Sequence, residues 1–166
     1  MKLPRYRNCF VCGMDNPNGL HAEPELENNA VVIRFTAFPQ YCGFQAWLHG
    51  GIIASLMDEA MFWAAAVGLQ RIVATAGLSV RYHRPVPIGS TVKVSAQLKE
   101  RRQRLCLTIA SLSDADGQLY ASAEGQYVAI QKEGQPTGVF FPDDETAQSW
   151  DLSRFHIEPL ERGESG

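Results

Sequence analysis

The chain contains no GxGxxG, no GxxxxGK[ST], no HExxH and no GxSxG. The short motifs that seat a dinucleotide, cradle a phosphate, hold a catalytic zinc or expose a serine nucleophile are therefore missing. There is no basic excess either, since the net charge is −3 and the pI about 5.8. A surface built to grip a nucleic-acid backbone is strongly positive, so nucleic acid is not expected as a partner. No uninterrupted apolar run approaches the roughly 18 residues that cross a bilayer, and no membrane association is expected. Met1–Arg7 is basic but is broken by Pro4 and lacks the apolar stretch of a secretory signal. The default setting is then reducing, and Cys9, Cys12, Cys42 and Cys106, the four cysteines of the chain, are expected not to form a disulfide framework. They fit a reducing, cytoplasmic setting, as thiols or metal ligands.

What remains is a chain of ordinary composition, 45% hydrophobic and 20% charged, long enough for one full-sized core. Residues 1–29 are rich in Pro, Gly and Asn and read as an irregular lead-in. Ala30–Phe38 is β-branched and apolar, a first strand. Pro39–Leu48 has no period and reads as a loop. From Gly50 to about Val67 nearly every position is apolar, which predicts a helix buried on all sides, with Gly68 as its stop.

From Ile72 the period becomes two. Leu78, Val80 and Tyr82 alternate with Ser79, Arg81 and His83, and the same alternation runs through Val92–Leu98 and Leu105–Ile109. Asp114–Gly117 is a turn, and Leu119–Ile130 closes the run. Short turns make antiparallel neighbours. The sum is an α+β domain in which one antiparallel sheet wraps a single helix over residues 30–131. One helix covers only part of such a sheet, so exposed strand edges and apolar surface predict a homo-oligomer. Residues 132–166 form an extension of the same unit, whose aromatic residues predict docking on the body or on a partner, with 161–166 unstructured.

The chemistry concentrates in Trp47–Ala60. Gly50 and Gly51 open the buried helix, so first-turn N–H groups and the positive end of the helix dipole face any approaching carbonyl oxygen. Asp58 is an acid in an apolar helix, costly unless paired or used. Nine residues at ~100° each place His49 and Asp58 on opposite sides of the axis. Nine rises of ~1.5 Å separate them by ~13 Å along it. If they act together, His49 and Gly50 come from one chain and Asp58 from another.

His49-Gly50-Gly51, the spacing to Asp58, and Tyr82-His83-Arg84-Pro85-Val86-Pro87-Ile88-Gly89 resemble the phenylacetyl-CoA thioesterase-like branch of the hotdog superfamily. The resemblance spans roughly residues 30–130, and Cys9-Phe10-Val11-Cys12-Gly13 resembles the opening of some members. It implies a hotdog fold, a dimer or dimer of dimers, and hydrolysis of an acyl-CoA thioester with no cofactor or metal required. It further implies that Asp58 is the nucleophile or general base, that Gly50 N–H and His49 polarise the thioester carbonyl, and that Thr75 orients the water or the carboxylate. Members often carry Asn or Gln six residues before the histidine, where this chain has Gly43; Gln45 stands nearby as a substitute.

Each reading has a plainer rival. His49 also suits a helix cap, and Asp58 a buried ion pair with an arginine such as Arg81. Glu59, ~100° round the helix, reads as a solvated or interface-paired acid. Met57, Met61, Phe62 and Trp63 suit an acyl pocket or simple packing. Arg81, Arg84 and the Arg101–Arg104 hairpin tip are candidates for the CoA phosphates. Cys9 and Cys12 are half of a zinc site that His21, Cys42 or a second chain would have to complete. A hotdog module that binds acyl-CoA without cleaving it is the alternative function.

Overall fold

The period-two alternation after Ile72 becomes long antiparallel strands in the computed structural model, which describes residues 1–161. In chain order the elements are β1 (Glu25–Glu27), β2 (Ala30–Thr36), β3 (Cys42–Phe44), β4 (Trp47–Leu48), α1 (Gly50–Leu69), β5 (Val73–Tyr82), β6 (Thr91–Arg101), β7 (Leu105–Ser113) and β8 (Leu119–Ala129). Six strands make one sheet in the order β1-β2-β6-β7-β8-β5, while β3 and β4 pair separately. All pairings are antiparallel. The lead-in was expected to be irregular, yet its last residues form β1, which pairs with β2 through Glu27 and Ala30. Three residues are too short to show a period, so only the pairing reveals the strand.

The sheet wraps α1, whose Leu56, Met57, Ala60, Met61, Trp63 and Ala64 are buried against Val31, Ile33, Val94, Leu98 and Leu112. Burying each large side chain of this kind contributes about 1.5–3 kcal/mol. By length and average hydropathy α1 would suit a membrane span, although its apolar run is not unbroken. Here the helix is the core, and Asp58 and Glu59 interrupt its run without making it polar.

Gly68 does not stop the helix. It lies inside the last turn, where an added Cβ would sit 2.8 Å from a Leu98 methyl. Gly68 therefore serves close approach of helix to sheet, and the termination falls to Gln70, left-handed at φ 54°. The tail docks on this end. The Gln70 amide donates to Phe155 O, and Phe155 and Ile157 are buried in the core. The lead-in contributes Leu3, Val11 and Leu20 to the same core. Residues 162–166, most of the stretch expected to be unstructured, lie outside the described residues.

Candidate active site

Gly50 and Gly51 form the first turn of α1 with His49 as N-cap. The Gly51 N–H donates to His49 Nδ1 at 2.8 Å. A neutral imidazole that accepts at Nδ1 carries its proton on Nε2, so His49 is left with an N–H to donate. The ring lies over Gly51, where an added Cβ would sit 3.0 Å from Nδ1. Gly51 N–H is thus committed to the cap, and Gly50 N–H is the first-turn amide with no recorded acceptor among the described residues. The histidine is therefore a helix cap, as the plainer reading has it, and the cap fixes the ring with Nε2 on its free side. Tyr82 Oη donates to Gly50 O at 2.8 Å and ties the same turn to β5.

Gly43 also abuts His49, with an added Cβ 3.1 Å from its Cα and from ring carbon Cδ2. A larger side chain at 43 would press on the histidine, which accounts for the glycine at this position. Gln45 is exposed in the turn between β3 and β4.

Asp58 lies two and a half turns along α1 and is partly buried. Its Oδ1 accepts from Thr75 Oγ1 at 3.0 Å and from Tyr127 Oη at 2.8 Å. Thr75 on β5 and Tyr127 on β8 are cross-strand partners, so the sheet register delivers both hydroxyls to one oxygen. Asp58 makes no ion pair among the described residues, and the expected alternative of a pair with Arg81 does not form. Arg81 is exposed on β5 beside His83, whose Nε2 lies 2.8 Å from Ser122 Oγ. Arg84 is exposed just past the end of that strand.

The chain's reading as a sequence missed Tyr127. Its signal was Gly125, a glycine inside a strand and two residues earlier on the same face. An added Cβ there would sit 2.5 Å from Tyr127 Cε2, so Gly125 provides the space in which the ring lies flat. Burial and the neighbouring Asp58 carboxylate push the Tyr127 phenol well above its usual range, which keeps it a donor.

Glu59 turns away from Asp58 toward the lead-in. It is not the solvated acid that its position suggested. Its Oε1 accepts from Trp63 Nε1 at 3.1 Å, and its Oε2 lies 3.7 Å from Cys9 Sγ. Burial, followed by the charge on Cys9, pushes Glu59 up to about 7. The Cys9 thiol is lowered to about 6 by hydrogen bonds from the Cys12 thiol and the N–H groups of Cys12 and Val11.

A cavity of about 190 Å³ joins these groups. Asp58, Glu59, Cys9 and Cys12 supply its polar wall, and Phe62, Trp63, Tyr6, Phe141 and Trp150 its apolar one. Met61 does not reach it and is fully buried between helix and sheet, in its packing use. A larger groove of about 490 Å³ between lead-in and tail is lined by cations. Three of them are already paired, Lys2 and Arg5 with Glu23 and Arg7 with Asp15.

Residues 46–121 match the family model of the thioesterase superfamily. The acyl-coenzyme A thioesterase THEM4 of Bos taurus is 29% identical over 112 residues, 67% of this chain and 46% of that protein. Its counterpart in Xenopus laevis is 30% identical over 101 residues, 60% of this chain and 45% of that protein. The chain thus matches about half the length of these curated relatives. A thioesterase superfamily protein of known crystal structure superposes with a TM-score of 0.68 at 32% identity, covering 74% of this chain and 63% of that one. The E. coli PaaI protein of the phenylacetic acid degradation operon shares the fold, with a TM-score of 0.62 at 20% identity over 68% of this chain and 81% of that one.

Proposed function

We propose that this chain, which matches the thioesterase superfamily model over residues 46–121 and has the hotdog fold, is an acyl-CoA thioesterase whose sites are shared between two chains. The observation that carries the reading is the Asp58 carboxylate, held by Thr75 and Tyr127 at an apolar cavity on the helix that opens with His49-Gly50-Gly51. A group that only bound an acyl chain would gain nothing from an acid placed there.

In this reading the thioester carbonyl oxygen rests on Gly50 N–H and His49 Nε2–H, two donors aimed at the charge that develops during attack. Asp58 of the second chain takes a proton from water as the water oxygen bonds to the carbonyl carbon, or attacks that carbon itself. When water attacks, the C–S bond then breaks and the thiolate leaves with the proton, giving a carboxylic acid and free CoA. When Asp58 attacks, the thiolate leaves an acyl–Asp58 anhydride, which a water molecule then hydrolyses to the carboxylic acid and the free carboxylate.

Sharing is supported by two features. The ~13 Å rise between His49 and Asp58 is too long for one site within one chain. The second is β5, a ten-residue edge strand paired only with β8 among the described residues. Its Leu78 and Tyr82 expose apolar surface on a strand with an unpaired edge, and Phe44 and Trp47 of the β3–β4 hairpin are exposed as well. Such an edge is a template for pairing with a second copy, as a dimer or a dimer of dimers. Arg81 and Arg84, with the Arg101–Arg104 hairpin, are cations for the CoA phosphates, and the four unpaired cysteines fit a reducing cytoplasm.

The test is thiol release from short, medium, long and aromatic acyl-CoAs by wild type and Asp58→Asn. Turnover by wild type and loss in a folded variant is the expected result. Binding of acyl-CoA without release by wild type would replace the enzyme with a binding module.

A further inference from the structure

Cys9, Cys12 and Glu59 play no part in the reaction above, yet one ligand atom from each lies within 4.8 Å of the others. We propose that these three side chains form a zinc site that clasps the N-terminal lead-in to α1, with its fourth position open to the adjoining cavity.

The backbone supports this reading independently of the side chains. Val11 N and Cys12 N both donate to Cys9 Sγ, at 3.3 and 3.4 Å. A sulfur that gathers two amides is dressed as a thiolate, the form that ligates a metal. The turn closes through Gly13 N–H on Cys9 O at 3.0 Å. It admits no side chain at 13, where an added Cβ would sit 2.5 Å from Arg7 O and from the Cys9 backbone. Glycine at 13 therefore keeps the two cysteines side by side.

Two thiolates and a carboxylate are a donor set that zinc accepts, with water as the fourth ligand. Binding expels to solvent the protons held among the Cys9 and Cys12 thiols and Glu59, leaving two thiolates and a carboxylate on the metal. Trp63 Nε1 on Glu59 Oε1 supplies the outer hydrogen bond that leaves Oε2 directed toward the cysteines. The other ligands that the sequence offered do not join the cluster. His21 Nδ1 lies 2.8 Å from Gly13 O, and Cys42 is exposed on β3. Glu59 is fifty residues from Cys9, so only the fold brings it in.

Metal analysis of protein purified without chelator should give about one zinc per chain. Cobalt added to the zinc-stripped protein should produce a thiolate-to-cobalt charge-transfer band. Cys9→Ser and Cys12→Ser should each abolish that band, and Glu59→Gln, which removes a direct ligand, should weaken metal affinity by at least the roughly 10–100-fold that losing an outer hydrogen-bond partner costs. Cys42→Ser should change nothing. Glu59→Gln keeps an acceptor for Trp63, so it tests ligation even if the cysteine variants fold poorly. Zinc far below one per chain with no cobalt band in wild type would overturn the proposal, as would a Cys9–Cys12 disulfide formed in its place under reducing purification.

Discussion

Tyr127→Phe removes one oxygen from a fully buried ring and nothing else. That oxygen is 2.8 Å from Asp58 Oδ1 and 3.2 Å from Asp58 O. A hydrogen bond to a charged group contributes about 1.5–3 kcal/mol. At 1.36 kcal/mol per decade, losing all of it would slow the reaction by roughly 10- to 150-fold. Thr75 still holds the same oxygen and Asp58 is partly accessible to water, so the lower end applies, a fall in kcat of about tenfold. KM should not move, because Tyr127 lies beneath the acid and does not reach substrate. Folding stability should drop by about 1 kcal/mol, or roughly 2–4 °C in Tm for a domain of this size. Thr75→Val removes the second donor. In the double variant the carboxylate loses both hydroxyls, so the losses in kcat should exceed the product of the singles. Steady-state kinetics on the four proteins reads this directly. A changed KM with unchanged kcat, or losses that multiply within about 0.5 kcal/mol, would refute a shared oxygen that positions Asp58.

Three further outcomes are expected. Gly51→Ala adds a methyl 3.0 Å from His49 Nδ1 while improving helix propensity by up to about 1 kcal/mol; kcat should fall by roughly tenfold or more with Tm unchanged or higher, and wild-type activity would remove His49 from the site. Gly125→Ala forces the Tyr127 ring to move and should cost about 1–3 kcal/mol in denaturant unfolding; a neutral result would mean the ring is not held where the glycine leaves room. Mixed dimers of Asp58→Ala and His49→Ala chains should recover activity that neither variant has alone, and a protein that sediments as a monomer at micromolar concentration would dispose of the shared site.

The fold was legible where periodicity ran long. The four strands after Ile72 carry enough residues to show their period and the buried helix enough to show its unbroken apolarity, whereas β1 has three and emerges only through its pairing. The end of α1 was misplaced because a glycine can serve packing as well as termination, and Gly68 does the former. The site divided in the same way. His49, Gly50, Gly51 and Asp58 stand close together in the chain and their geometry follows from one helix. Thr75 came through resemblance. Tyr127 depends on strand register across fifty residues of intervening chain, and Glu59 on the path of the lead-in, so no local pattern announces either. Arg81, as a partner for Asp58, failed because β5 turns it outward to solvent.

The wall of the cavity is drawn from both ends of the chain. Tyr6 stacks on Phe141 at 4.9 Å, Phe141 on Trp150 at 4.8 Å, and Trp150 on Trp63 of α1 at 5.8 Å. Arg7 N–H on Asp144 and Tyr6 on Asp143 fasten the two ends together. During synthesis the sheet and helix can therefore assemble while the cavity stays open on one side, awaiting Phe141 and Trp150, which are made more than eighty positions after Asp58. A truncated product would keep the acid and its two hydroxyls but lack the enclosure that holds an apolar group beside them. The aromatic wall is thus a product of tertiary contact between segments more than 130 residues apart, and it exists only where the two have met.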